Sequence, residues 1–109
     1  MANSRRERIE AMLAEDANDG FLRYSLAMEL DKESQNDRSL ELLRGLMKET
    51  PAYVPAFFMS AQQLARLGRV SEARGVLREG IEQARQQGDA HAAGEMSEFL
   101  ASLGTLGET

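Results

Sequence analysis

Few side chains in this sequence can do chemistry, and their spacing does not bring them together. His91 is the only histidine in 109 residues, and there is no cysteine. His91 lies close to Asp89 at a predicted helix start, with no serine or cysteine partner for it to activate. It reads as a surface residue rather than a general base. The acidic cluster Glu15, Asp16 and Asp19 lacks the alternating ligand spacing of a calcium loop and reads as a solvated turn. There is no glycine-rich phosphate loop and no H-E-x-x-H pair. The lack of cysteine excludes a disulfide framework, a Cys-ligated zinc finger and a thiol nucleophile. The prediction is a protein without enzyme activity, metal or cofactor.

Composition narrows the class further. With 42% hydrophobic and 28% charged residues the chain has an ordinary globular make-up, and its length suits one domain with one core. A net charge of −5 argues against a nucleic-acid surface, which needs a concentrated basic footprint. No run approaches the roughly 18 apolar residues of a membrane span. The first residues, M-A-N-S-R-R-E-R, move straight into an amphipathic pattern with no apolar core of a secretory signal. A cytoplasmic protein with no membrane partner is expected.

The elements that must position any functional surface are helices. Between Val54 and Gln87, two amphipathic runs are hinged at Gly68. The first places Phe57, Ala61, Leu64 and Leu67 at steps of three and four; the second does so with Ala73, Val76, Leu77, Gly80 and Ile81. Neither run can bury its apolar face alone. Sliding the segment back by 34 positions (54 − 34 = 20) lays it on Gly20–Tyr53, with Leu64 over Leu30, Ala61 over Ala27, Leu77 over Leu43, Ala73 over Ser39 and Ile81 over Met47. A further slide puts Ile9 under Leu43 and Met12 under Leu46. At the other end, Leu64–Gly68 recurs as Leu100–Gly104 with an offset of 36. The two extra residues predict a longer helix or turn around 86–89. No period-two alternation long enough for a strand is present.

Local signals place the boundaries. Ser4 and Glu7 form an S-x-x-E capping box opening a first helix over about 4–15. Asn18, Asp19 and Gly20 offer a turn and cap for a second, about 20–33. Asp37 is the expected cap of a third, about 38–49, which Pro51 stops. Pro55 suits the first turn of a fourth. Gly68 is expected to be left-handed, with Ser71 capping the fifth helix, and Gly88 and Asp89 play the same parts before the sixth. The predicted fold is all-α, an antiparallel helix-pair solenoid of about six helices spanning 1–109 as one domain. It comprises a half-repeat at 4–17, repeats at 20–53 and 54–87, a half-repeat at 90–104 and a flexible tail at 105–109.

These residues resemble the tetratricopeptide repeat family, whose 34-residue signature runs from a large aromatic through Leu-Gly and Tyr to Ala-x3-Phe and a late Pro. The second repeat gives Phe57, Ser60, Ala61, Leu64, Gly68, Ala73 and Leu77. The first gives Arg23, Leu26, Ala27, Leu30, Ser39, Leu43 and Pro51, and the last half gives Ala93, Met96, Ser97, Leu100 and Gly104. The departures are Arg23 and Ala93 for the aromatic, Ser60 for Leu, Gly80 for Ala and Arg85 for the late Pro. Gly80 is expected to sit at a close helix approach, whereas Gly45 and Gly75 lie where the pattern asks for nothing small.

The resemblance implies a curved stack whose first helices line a concave groove. Its first repeat would present Phe21, Tyr24, Ser25, Met28 and Lys32, and its second Phe58, Met59, Gln62 and Arg66. His91, Glu95, Glu98 and Ser102 would come from the last helix. Tyr24, Met28, Phe58 and Met59 make an adaptable apolar surface for a peptide or helix of another protein. The competing reading makes them core, covered by the sixth helix. Arg66 and Lys32 suit an acidic stretch or stand as solvated charges. Tyr24, Met28 and Phe58 occupy positions where some family members clamp a chaperone carboxylate, and cannot do that ionic work. The function implied is a non-catalytic adaptor. The alternative is a homodimer formed through the C-terminal helix or the groove, with Phe99 protruding at the open end; against this, Phe99 tucks onto the fifth helix.

Overall fold

The computed structural model describes residues 4–104. Six helices follow in order: α1 (Arg5–Glu15), α2 (Gly20–Lys32), α3 (Asn36–Met47), α4 (Pro55–Arg66), α5 (Val70–Gln86) and α6 (Ala90–Leu103). There is no strand among the described residues. Each helix packs on the next in the chain, giving an elongated stack of 49 × 30 × 19 Å. The tail expected at 105–109 lies outside the described residues.

The helix ends show why the chain doubles back so tightly. Ser4 and Glu7 form the capping box: Ser4 Oγ accepts from the Glu7 N–H at 3.1 Å, and the Glu7 carboxylate accepts from the Ser4 N–H at 2.9 Å. Asp19 caps α2 through the Leu22 N–H at 2.9 Å, and Asp89 caps α6 through the Ala92 N–H at 3.0 Å. Asp37 and Ser71 are not caps. α3 and α5 start earlier, behind Gln35 and Arg69, and neither start has a side-chain cap. The turn before each sets the start two residues upstream of Asp37 or Ser71, which therefore lie inside the first turn, while before α6 the same position holds the capping Asp89. Ser34 (φ 60°), Gly68 (φ 80°) and Gly88 (φ 75°) are left-handed, and the next N–H reaches back five residues. Gln35 donates to Leu30, Arg69 to Leu64 and Asp89 to Ala84, each at 2.8 Å. The residue that closes one helix therefore opens the next. α5 has 17 residues against 12 in α3, and the connection after it shortens from 48–54 to 87–89, so the change falls in both the helix and the turn.

Burial follows the 34-residue period. Leu30 and Leu64, Ala27 and Ala61, Leu43 and Leu77, and Ser39 and Ala73 are all buried. At the two ends some of these positions open, although Ile9 and Met96 stay buried. Met12 is 49% exposed, whereas its counterpart Leu46 is fully buried. Ser97 and Leu100 are half-buried, because among the described residues no helix lies beyond α6.

Two departures from the repeat pattern have physical causes. A Cβ added at Gly80 would lie 2.5 Å from Phe57 Cβ and 2.7 Å from Met96 Sδ, so only glycine lets α5 approach both α4 and α6 this closely. Arg23, in the aromatic position, lies mostly buried and pairs its guanidinium with Glu49. Its Nη2 is 3.5 Å from where a Cβ at Gly45 would be, an ordinary contact. Nothing in the structure explains Gly75.

A buried polar bridge ties three helices together. Ser39 Oγ on α3 donates to the Ala27 carbonyl on α2 at 2.6 Å and accepts from Gln63 Nε2 on α4 at 2.8 Å. Gln63 is buried, and its Oε1 has no hydrogen-bond partner. An unpaired buried carbonyl is a local cost that the bridge must outweigh.

Candidate interaction groove

The three helices that begin each unit, α2, α4 and α6, share one face. On it, Phe58 of α4 meets Phe99 of α6 with ring centroids 5.6 Å apart at 46°, a tilted aromatic contact. This pair divides the face into two clefts. The first, about 300 Å³, lies toward the helix starts, between Tyr24, Val54, Phe58, Ala92 and Met96, with Asp89, His91 and Glu95 on its rim. The second lies toward the helix ends, with Ala65, Val70, Phe99 and Leu103 as its floor and Gln62 and Arg66 at the edge.

Tyr24 is held in place from behind. Its ring lies 5.6 Å from that of Tyr53, which sits over Gly20. Burial, followed by the neighbouring Tyr53, raises the Tyr24 phenol above its ordinary value. Burial, followed by Asp19, raises Tyr53. Both rings are therefore neutral, half-buried surfaces at physiological pH.

The structure brings together only part of the predicted set. Tyr24 and Phe58 line the same cleft, and His91 and Glu95 join them. Met28 and Met59 are half-buried. Gln62 and Arg66 line the second cleft. Ser25 is buried and offers little to a ligand. Phe21 is 65% exposed, but it lines a separate depression with Arg5, Arg8, Ile9 and Met12 at the start of the stack. Lys32 and Arg66 are partnered within the fold. Lys32 Nζ lies 3.2 Å from Glu29 Oε2, and Arg66 Nη2 lies 2.8 Å from Asp31 Oδ2. Glu98 and Ser102 are exposed.

Phe99 is half-buried against Phe58 and lines the second cleft with Val70 of α5, so it forms a wall of the groove. With the offset of 36 it falls on Gln63, which is buried despite its polarity. That position points inward in both helices, and the amide at Gln63 concealed this in the sequence. Leu103 and Val70 were missed as well, because the cleft they share forms only when α5 and α6 converge.

No family model matches the chain, and no curated protein matches it. Solved structures do. A tetratricopeptide repeat domain protein of Salinibacter ruber superposes with a TM-score of 0.78 at 29% identity, over 84% of this chain and 93% of that one. The chain has a tetratricopeptide repeat fold. A protein of Bordetella parapertussis is similar to the same degree, with a TM-score of 0.78 at 29% identity over 94% of this chain and 89% of that one. Tetratricopeptide repeats generally serve protein–protein interaction, through the extended surfaces that stacked helix pairs create. Among the described residues, no helix is long and apolar enough to cross a membrane, and no group of three or more His, Asp or Glu is placed to hold a metal ion.

Proposed function

We propose that this chain is a non-catalytic adaptor that holds a peptide or helix of another protein in the groove along α2, α4 and α6. The observation that carries the reading is the first cleft. There the half-buried rings of Tyr24 and Phe58 stand open beside Ala92, on a face that no other described part of the chain covers. Such a surface gains free energy by burying its apolar area against a partner. The same reading takes 1–109 as one repeat domain acting in the cytoplasm, without nucleic acid or membrane.

Affinity capture followed by mass spectrometry tests it. Tyr24→Ala with Phe58→Ala should abolish capture of specific partners while the helical circular-dichroism signal stays intact. Unchanged capture by the folded double variant would contradict the groove assignment.

A second reading, a homodimer through α6, is supported by Ser97 and Leu100, half-buried where Ala61 and Leu64 are buried. Light scattering over a concentration series decides it, because a chain that stays monomeric throughout has no such dimer.

A further inference from the structure

Building on the groove reading above, we infer that the segment the groove accepts is basic, with a lysine or arginine side chain entering the cleft between Tyr24 and Phe58 and meeting the carboxylates of α6. The two cations on this face are already neutralised. Arg66 reaches across from α4 to Asp31 on α2 at 2.8 Å, and Lys32 lies 3.2 Å from Glu29 on its own helix. An acidic partner would gain less from cations that already have a carboxylate beside them.

The anions are in the opposite condition. α6 contains no lysine or arginine in its 14 residues. Glu95, at the rim of the cleft, has only His91 beside it, at 3.5 Å, and that imidazole carries charge only when protonated. Glu98, one turn further along, makes no ion pair among the described residues. Asp89, also at the rim, accepts the Ala92 N–H and so offsets the positive start of α6. The field at the cleft mouth is therefore negative, in a chain of net charge −5.

The walls of the cleft suit the same visitor. A cation on a long aliphatic stem places its methylenes against Ala92 and the rings of Tyr24 and Phe58, and its charge beside the Glu95 carboxylate. The second cleft, floored by Phe99, Leu103 and Val70, then takes an apolar side chain further along the same segment. The expected ligand is a basic segment that also carries an apolar anchor.

A random peptide library displayed on phage, panned on the wild-type protein and counter-selected on the Tyr24→Ala, Phe58→Ala variant, tests this directly. The counter-selection has the same net charge, so it removes peptides that merely stick to an acidic protein. The enriched sequences should carry lysine or arginine beside an apolar residue. Binding of a synthetic copy of the most enriched sequence should weaken roughly tenfold on Glu95→Lys with Glu98→Lys and should weaken with added salt. Enrichment of neutral or acidic sequences that still depend on Tyr24 and Phe58 would overturn the basic-partner inference and leave the groove reading standing. No enrichment that depends on Tyr24 and Phe58 would overturn both.

Discussion

The Ser39 hydroxyl shows how one atom can hold a repeat together. It stands where the second unit has Ala73, and a small residue is all the packing asks of that position. Its oxygen nevertheless donates to α2 and accepts from α4, so removing it strands the Gln63 amide in the interior. Ser39→Ala should lower stability by about 1–3 kcal/mol. Gln63→Met is expected to cost less than about 1.5 kcal/mol, since it fills the same space and also removes the unpaired Oε1. Chemical denaturation of the two variants checks the pair. Equal losses would mean that the bridge is no more than packing. The small size needed at position 39 was legible from the period. The bridge was not, because it depends on a residue 24 positions away on another helix. The same is true of Arg66. In sequence it is a groove cation suited to an acidic stretch or a solvated charge, and only the fold sets it against Asp31, 35 positions earlier.

At the scale of elements, α5 carries two glycines in opposite situations. Gly80 is wedged between Phe57 and Met96, and the nearest atom is Phe57 Cβ, which cannot swing aside without moving α4. Gly75, earlier on the same helix, meets nothing within 4 Å. Gly80→Ala should destabilise by about 1–3 kcal/mol through overpacking. Gly75→Ala should stabilise by about 0.5–1 kcal/mol, because only its helix propensity changes. Thermal melts of the two single variants should shift in opposite directions, and a shared sign would refute the close approach of α5 to α4 and α6. The existence and order of the helices were readable because apolar spacing, Pro55, Gly68 and Gly88 all mark the same boundaries. The starts of α3 and α5 were misplaced for one reason. The five-residue turn puts Gln35 and Arg69 at the cap positions, so Asp37 and Ser71 fall inside the first turn, whereas before α6 the same turn puts Asp89 there.

The described residues form a short stack whose core is buried in the middle and more exposed at both ends. Its interior positions are buried in step with the period, while Met12 at one end and Leu100 at the other remain partly exposed. The predicted groove residues sort by this geometry. Tyr24 and Phe58 lie in the middle of the stack and share a cleft, while Phe21 belongs to its start. The sequence period could place residues on a helix face, but it could not say which faces converge, since that depends on the tilt between successive helices. Phe99 shows the limit well: it joins the groove because α6 leans its ring onto Phe58. The central claim is that this shared face of α2, α4 and α6 is where a partner binds. Backbone amide chemical-shift mapping, with the peptide enriched from the displayed library titrated into the isotope-labelled protein, tests it most directly. The shifts should cluster on Tyr24, Phe58, Ala92, Glu95 and Phe99 and spare α1, α3 and the outer side of α5. Shifts concentrated around Met12 and Phe21, or along α3 and α5, would contradict the claim.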